Sequence, residues 1–308
     1  MTSPIDTENR AGIARITCGW KKPGLPLEFV RQYWRDVHSP AIARRSGIWE
    51  YHHSQFDAVD PHAFGAVDGI RTGCQQDEQL MWLSDVRYED EQALEAFGRS
   101  PGDAVKAHLL KDIDLLVDKS STYKCVGEEC RTYRDDSGDP LPQGKPARAA
   151  FGVFFRQRGD ADAFRVVVRA LAERWSTAPG VLRLRANLLQ SPDVEAERRG
   201  GYPIKTHPPE LQYQAWFELV LSEAPAMRGM LGKTQDLDPA EHLRDVHAYP
   251  VAAKYCFNYA GQPTLVGLRG FGAFESISRF HADHQAEPAL IEWMYGRPGG
   301  TADLRGHP

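Results

Sequence analysis

The sequence predicts an α+β protein in which two fused ferredoxin-like modules form a pseudo-dimeric α/β barrel. Three observations lead to this prediction. The chain has 308 residues, which exceeds the usual size of one domain. Hydrophobic patterns in the order β-α-β-β-α-β occur in its first part and start again after a polar interruption. The segments LLKDIDLLVDKSSTYKCVG and HLRDVHAYPVAAKYCFNYAG align with one gap, which indicates an internal duplication.

The first module is predicted to span residues 11–127. Alternating and helical hydrophobic periodicities define its elements, which in order are a strand over 13–20, a helix over 27–45, a strand over 48–56, a strand over 80–88, a short helix from 90 through 97 and a last strand within 115–126. Helices that cover one face of such a sheet leave the other face in need of a partner.

Residues 128–146 are polar and rich in Pro and Gly, which predicts a linker. The second module, 147–308, repeats the pattern with a strand over 149–155, an amphipathic helix over 161–175, strands over 181–189 and 212–220, and a helical segment around 225–231. A C-terminal extension over 265–295 is expected to add a strand and one or two helices that pack on the second module. Residues 299–308 are expected to fray.

Composition and charge exclude several functional classes. The net charge of -5 is spread along the chain, so no basic surface for nucleic acid or an anionic membrane is expected. No apolar run reaches the length of a bilayer span, and a cytoplasmic location is expected. The five cysteines form no disulfide framework, and no spacing typical of a metal site is found. Nucleotide-binding and hydrolase motifs are also absent from the sequence.

One motif in the first predicted helix, YWRDVHSP, is suited to a functional site. Trp34 and His38 are one helical turn apart and therefore share a face. Pro40 lacks a backbone donor and is expected to bend the helix close to His38. A histidine at such a bend can point into a cavity, although a structural histidine bonded to backbone is the alternative.

The segment WKKPGLPLEFVRQYWRDVHSPAIARRSGIWEYHHSQFD (residues 20–57) resembles the signature of the EthD family of dimeric α/β barrels. The resemblance covers residues 13 to about 127, and YWRDVHSP is its most specific part. The corresponding helix of the second module, FRVVVRALAERWSTAPG, lacks the histidine and the following proline. The chemistry is therefore expected in the first module, with the second copy as a wall of the cavity.

The predicted catalytic residues are His38, Tyr51, His53 and Asp85. His38 is the candidate general base, because imidazole titrates near neutrality. On the strand over 48–56, Tyr51 and His53 share one face, and we expect this face to line a cavity between the two sheets, since burial of Glu50 on the other face would be costly. The order of the two faces could be reversed. Asp85 is a candidate if it points inward.

Four further residues are predicted to bind substrate. Tyr33 and Trp34 belong to the YWRDVHSP motif. Arg183 and Arg185 alternate on a strand of the second module and could bind a carboxylate or phenolate, although a solvated sheet face would give the same pattern.

The leading functional prediction is a cofactor-independent enzyme in which a histidine base acts on a planar or aromatic small molecule, as a lyase or dehydratase, a cyclase or an isomerase. One alternative is a haem-dependent dehydratase or peroxidase-like enzyme, because the same barrel architecture hosts haem proteins, with His247 or His281 as axial ligand. Others are a cofactor-free monooxygenase and a non-catalytic ligand-binding accessory protein. A homodimer is left open as the assembly.

Overall fold

The structure is a computed structural model that describes residues 4–100 and 102–295. Its first part consists of α1 (Pro4–Asn9), β1 (Ile13–Lys21), α2 (Leu27–Tyr33), a π-helical turn (Trp34–His38), α3 (Ser39–Ala43), β2 (Glu50–Phe56), β3 (Trp82–Tyr88), α4 (Glu91–Arg99), α5 (Asp103–Leu116) and β4 (Val117–Val126). Every strand predicted here is present. Two elements were not predicted, namely α1 and α5, because their short or polar sequences carry weak hydrophobic periodicity.

The remaining elements are β5 (Cys130–Asp135), β6 (Gln143–Gly144), β7 (Ala149–Gln157), α6 (Ala161–Ser176), β8 (Val181–Leu188), α7 (Val194–Arg199), β9 (Ala215–Leu221), β10 (Leu243–Tyr259), β11 (Gln262–Pro263), α8 (Leu265–Arg269), α9 (Phe271–Arg279) and α10 (Pro288–Tyr295). The side chain of Asp160 caps α6 by accepting a hydrogen bond from the backbone N–H of Ala163. The apolar face of α6, including Phe164 and Trp175, packs on the second half of the sheet.

The strand order confirms two ferredoxin-like modules. The sheet runs β4-β1-β3-β2-β10-β7-β9-β8-β5, so that each half has its fourth strand beside its first and its third beside its second. Strand β10 joins the halves, since its first part pairs with β7 and its second part with β2. At the other end, the backbone N–H of Gln190 donates to the carbonyl of Lys124 at 2.8 Å. The sheet thereby closes on itself as a pseudo-dimeric α/β barrel.

The segment predicted as a linker, 128–146, is partly a strand. Its β5 pairs with β8, with Thr132 opposite Arg185. Thr132 and Cys130 are buried there although the segment reads as polar. Strand β5 continues β4 into the second module in the same way that β10 extends into the first. The domain boundaries remain a prediction, but this segment is not a free connection.

The C-terminal extension packs on α3 of the first module as well as on β10 of the second. Helix α8 contacts α3 and β10, and Phe271 of α9 joins the apolar cluster around Tyr51 and Ala43. The regular elements of residues 265–295 are all helical, so the prediction of a strand there is wrong; the short β11 precedes this segment. Residues 299–308, expected to fray, lie outside the described residues. Within residues 4–100 and 102–295, no helix has the length and apolar character that a membrane span requires.

The interior of the barrel contains an ion-pair network, and a cavity of about 70 Å³ lies beside three of its members, Arg183, Glu218 and Lys254. The members of the network are Glu8, Glu50, Asp85, Arg87, Asp135, Arg183, Glu218 and Lys254. Helix α1 inserts Glu8 into one end of this network, where its carboxylate accepts two hydrogen bonds of 2.8 Å from Arg183. The expectation that burial of Glu50 would be avoided is wrong, because Arg87 from the neighbouring strand supplies the opposite charge.

Candidate active site

The YWRDVHSP motif forms a widened helical turn. Between α2 and α3, the backbone N–H of Ser39 donates to the carbonyl of Trp34, five residues earlier, which is π-helical geometry. Pro40 has no N–H to continue the regular ladder at the next position, so the predicted distortion beside His38 is present. The rings of Trp34 and His38 lie 4.2 Å apart, which confirms that they share a face.

His38 forms a hydrogen-bonded pair with an aspartate that the sequence did not identify. Its Nδ1 lies 2.9 Å from Oδ2 of Asp112 on α5. The hydroxyl of Tyr33 donates to the other carboxylate oxygen of Asp112 at 2.8 Å. Burial alone would raise the pKa of Asp112, but the hydrogen bonds from His38 and Tyr33 outweigh it and lower the pKa. The hydrogen bond to Asp112 raises the pKa of Tyr33.

His38 opens onto a pocket of about 110 Å³. The pocket lies between the sheet of the first module and its helices, with Glu197, Tyr202 and Pro203 of the second module also in its lining. The space between the two sheets holds a smaller cavity of about 70 Å³, and His38 does not line it. The aromatic and apolar walls of the His38 pocket come from Trp34, Ile42, Tyr51, Trp82, Val86, Tyr88, Phe97, Ile113 and Val117. The interior face of the same sheet carries the ion-pair network, so the pocket of His38 lies on the helix-covered face.

Tyr51 lines this pocket, and His53 lies on the same strand face. The hydroxyl of Tyr51 is 2.8 Å from Oγ of Ser39, and burial raises its pKa. His53 is completely buried, with Nδ1 3.4 Å from Oγ of Ser84. Burial and then the nearby His38 and Arg35 lower the pKa of His53 to about 3. His53 is therefore neutral near pH 7 and is a weak base.

Asp85 points inward, the condition for its candidacy, but into the barrel interior rather than toward His38. Its Oδ2 accepts hydrogen bonds of 2.8 and 2.6 Å from the guanidinium of Arg87. The sheet separates it from the pocket, because residues at even and odd positions of β3 point to opposite faces. Asp85 thus shares no site with His38.

The four residues predicted to bind substrate do not lie together in one site. Trp34 lines the pocket, whereas Tyr33 is bound to Asp112. Arg183 is paired with Glu8 inside the barrel, and Arg185 donates to Oγ1 of Thr132 at 3.1 Å. Neither arginine reaches the pocket, and their side chains already have partners within the protein.

The two histidines named for haem ligation do not line the pocket either. Nδ1 of His247 lies 2.8 Å from the hydroxyl of Tyr213, and burial followed by Arg156 lowers its pKa to about 4. His281 is exposed in a turn with φ of 52°. These positions do not fit an axial ligand facing a shared cavity. Among the residues that the structure describes, no group of three or more His, Cys, Asp or Glu side chains could hold a metal ion.

Comparison with known proteins finds chains of similar structure but identifies no family. No protein-family model matches the chain, and no curated protein matches it significantly. A candidate monooxygenase from Fusobacterium nucleatum is similar with 9% identity and a TM-score of 0.46 over 82% of this chain and 97% of that chain. Another from Lactobacillus acidophilus has 11% identity and a TM-score of 0.41 over 82% and 98% of the two chains. An anthrone oxidase-like protein has 10% identity and a TM-score of 0.44 over 80% and 93%.

Asp112 is the site residue that sequence reasoning missed. It lies on α5, whose apolar positions Ile113 and Leu116 face the sheet while the surrounding residues are mostly polar. A search for a carboxylate that could orient His38 would have had several acidic residues of this segment to choose from. Only the packing of α5 against α2 selects Asp112.

Proposed function

We propose that the protein is a cofactor-independent enzyme in which His38 is the general base for proton abstraction from a planar, aromatic or enolisable small molecule. The observation that carries this proposal is the pairing of His38 with Asp112 at the wall of an aromatic pocket. Lyase, cyclase and isomerase reactions on enolisable substrates can each begin with such a step. The EthD resemblance of the YWRDVHSP motif points to the same region of the chain.

The contact with Asp112 selects the tautomer of His38. An ionised carboxylate only accepts hydrogen bonds, so Nδ1 carries the proton and donates it. Nε2 is left with its lone pair, and no hydrogen bond to it is found within the described chain. Nε2 is thus the atom that can take a proton from a substrate carbon or hydroxyl. The imidazolium that results is stabilised by the carboxylate of Asp112 at 2.9 Å.

The walls of the pocket favour a flat ligand. The rings of Trp34 and Trp82 lie 5.0 Å apart and close one side of the pocket. Apolar surroundings destabilise a substrate anion unless polar groups replace the lost water, and the hydroxyls of Ser84 and Tyr51 are available in the pocket lining. Abstraction of a proton by His38 would also begin a cofactor-free oxygenation, which oxygen consumption during turnover of an oxidisable phenolic substrate would reveal.

The proposal is tested with 5-nitrobenzisoxazole, a small planar probe whose ring opens when a base removes its C–H proton. The intact protein should accelerate the opening about 10²-fold over the His38→Ala variant. His108→Ala is the matched control, since His108 lies on α5 and is exposed. Equal rates for the intact protein and the His38→Ala variant would show that His38 is not a base and would favour an accessory role. A Soret absorption of the purified protein would instead revive the haem alternative.

A further inference from the structure

We propose that the part of the pocket lined by Arg15, Arg45 and Tyr202 binds an acidic group, so that the substrate is a planar molecule carrying a carboxylate. The inference rests on the proposed function and narrows its substrate class. Arg15 and Arg45 line the same pocket as His38. A ligand that spans the pocket can therefore place its acidic group on the arginines and its reactive carbon at the imidazole.

Arg45 is a buried cation without an acidic partner. Its side chain is 6% exposed, and its guanidinium lies 3.5 Å from the centre of the Phe97 ring. Its donors reach only neutral acceptors: the carbonyl of Ser100 at 2.8 Å, the carbonyl of Phe97 at 2.6 Å and the hydroxyl of Tyr202 at 3.3 Å. No carboxylate lies within 4.0 Å of it in the described chain. Burying a charge without a counter-charge is costly, and an anionic ligand would remove that cost.

Arg15 and Lys106 add positive charge around the same tyrosine. The guanidinium of Arg15 lies 5.9 Å from the Tyr202 ring, and Nζ of Lys106 lies 5.0 Å from it. Neither cation has an acidic partner within 4.0 Å among residues 4–100 and 102–295. Burial alone would raise the pKa of Tyr202, but Arg45 and Arg15 outweigh it and lower the pKa. Its hydroxyl therefore already responds to a local excess of positive charge.

Glu197 is the acidic side chain in the lining of this pocket. It accepts a hydrogen bond of 3.1 Å from Oγ1 of Thr206 rather than from either arginine. Burial raises its pKa, although Thr206 and Arg15 partly oppose this. Glu197 thus does not neutralise Arg15 or Arg45 at contact distance. Tyr202 belongs to the loop after α7, so the second module contributes a wall of the pocket.

The test compares benzoate with benzamide, which have nearly the same shape but differ in charge. Both are titrated into the full chain at pH 7 and followed by ligand-observed NMR. Benzoate should bind about tenfold more tightly, as expected for one charge-assisted hydrogen bond. Arg15→Gln should remove this preference while leaving benzamide binding within about twofold. Arg99→Gln, an exposed arginine on α4, is the control and should leave the preference intact.

The subsite is refuted if benzoate binds no more tightly than benzamide, if neither binds, or if Arg15→Gln leaves the preference unchanged. The test uses Arg15 and not Arg45, because the buried Arg45 side chain also supports the fold, and its replacement would change stability as well as binding. His38→Ala separates this proposal from the catalytic one. If benzoate is preferred over benzamide but ring opening does not depend on His38, the acidic-group subsite stands and the proposed catalytic role of His38 is refuted. If ring opening depends on His38 but benzoate is not preferred, only the subsite is refuted.

Discussion

Replacement of Glu8 by alanine should destabilise the whole protein, although Glu8 lies in a six-residue helix at the start of the chain. Its carboxylate is 2% exposed and accepts hydrogen bonds from Arg183 at 2.8 Å and from Oγ1 of Thr132 at 2.5 Å. Breaking a buried ion pair costs about 3–5 kcal/mol, because the remaining charge is left uncompensated.

The lower end of that range is expected here. Arg183 keeps Asp135 and Glu218 as acidic partners after the substitution, so its charge remains partly compensated. We therefore expect a loss of about 3 kcal/mol in the free energy of unfolding, and a fall in Tm of about 6 °C for a chain of this size. Urea denaturation followed by circular dichroism measures the first quantity, and calorimetry measures the second.

The pH dependence provides a second measurement on the same residue. Burial would raise the pKa of Glu8, but Arg183 and Arg87 outweigh it and hold the pKa far below its usual value. A carboxylate with a lowered pKa in the folded state stabilises the protein above the pKa of the unfolded state, about 4.3, and this contribution is lost as the pH falls further. The stability difference between the intact protein and Glu8→Gln should thus be largest near neutral pH and shrink below about pH 4.

Glu95→Ala is the control for both experiments, since Glu95 forms an exposed ion pair with Arg99 on α4. It should change stability by less than about 0.5 kcal/mol. If Glu8→Ala also stays within about 0.5 kcal/mol of the intact protein, then the ion-pair network does not depend on α1. The proposed anchoring of the N-terminal helix inside the barrel would then be wrong.

Three further substitutions test the site and the fold. Asp112→Asn should reduce the rate of probe opening by about 10²-fold or more, because an amide no longer fixes the tautomer of His38. Replacement of the exposed Asp114 by Asn should leave the rate unchanged, and similar rates for the two variants would contradict the pairing of His38 with Asp112. Gly47→Ala should lower the free energy of unfolding, measured by urea denaturation, by about 2–4 kcal/mol, because Gly47 has φ of 81° and a Cβ there would lie 2.0 Å from a backbone oxygen. Gly98→Ala, where a Cβ would meet open space, should be neutral or slightly stabilising in the same assay. Trp175→Ala should cost about 3–5 kcal/mol in the same assay, since its ring is buried in the core of the second module, and a loss under about 1 kcal/mol would contradict that packing.

The sequence was sufficient for the strands and for the local geometry of the YWRDVHSP motif. Alternation along β1, β2 and β3 depends on the pleat alone, and the shared face of Trp34 and His38 depends on helical spacing alone. Such patterns are local, so they survive in any tertiary context. The repeated order of elements then restricted the topology to two ferredoxin-like modules, which the strand order confirms.

Only the tertiary structure decided which face of the sheet holds the pocket. Alternation separates Glu50 from Tyr51, but both faces are covered, one by helices and one by the opposite module. Burial of Glu50 became acceptable because Arg87 lies on the adjacent strand. Likewise, Asp112 meets His38 only because α5 packs beside α2. Pairings across such distances in the chain depend on how the elements pack, which no local pattern in the sequence encodes.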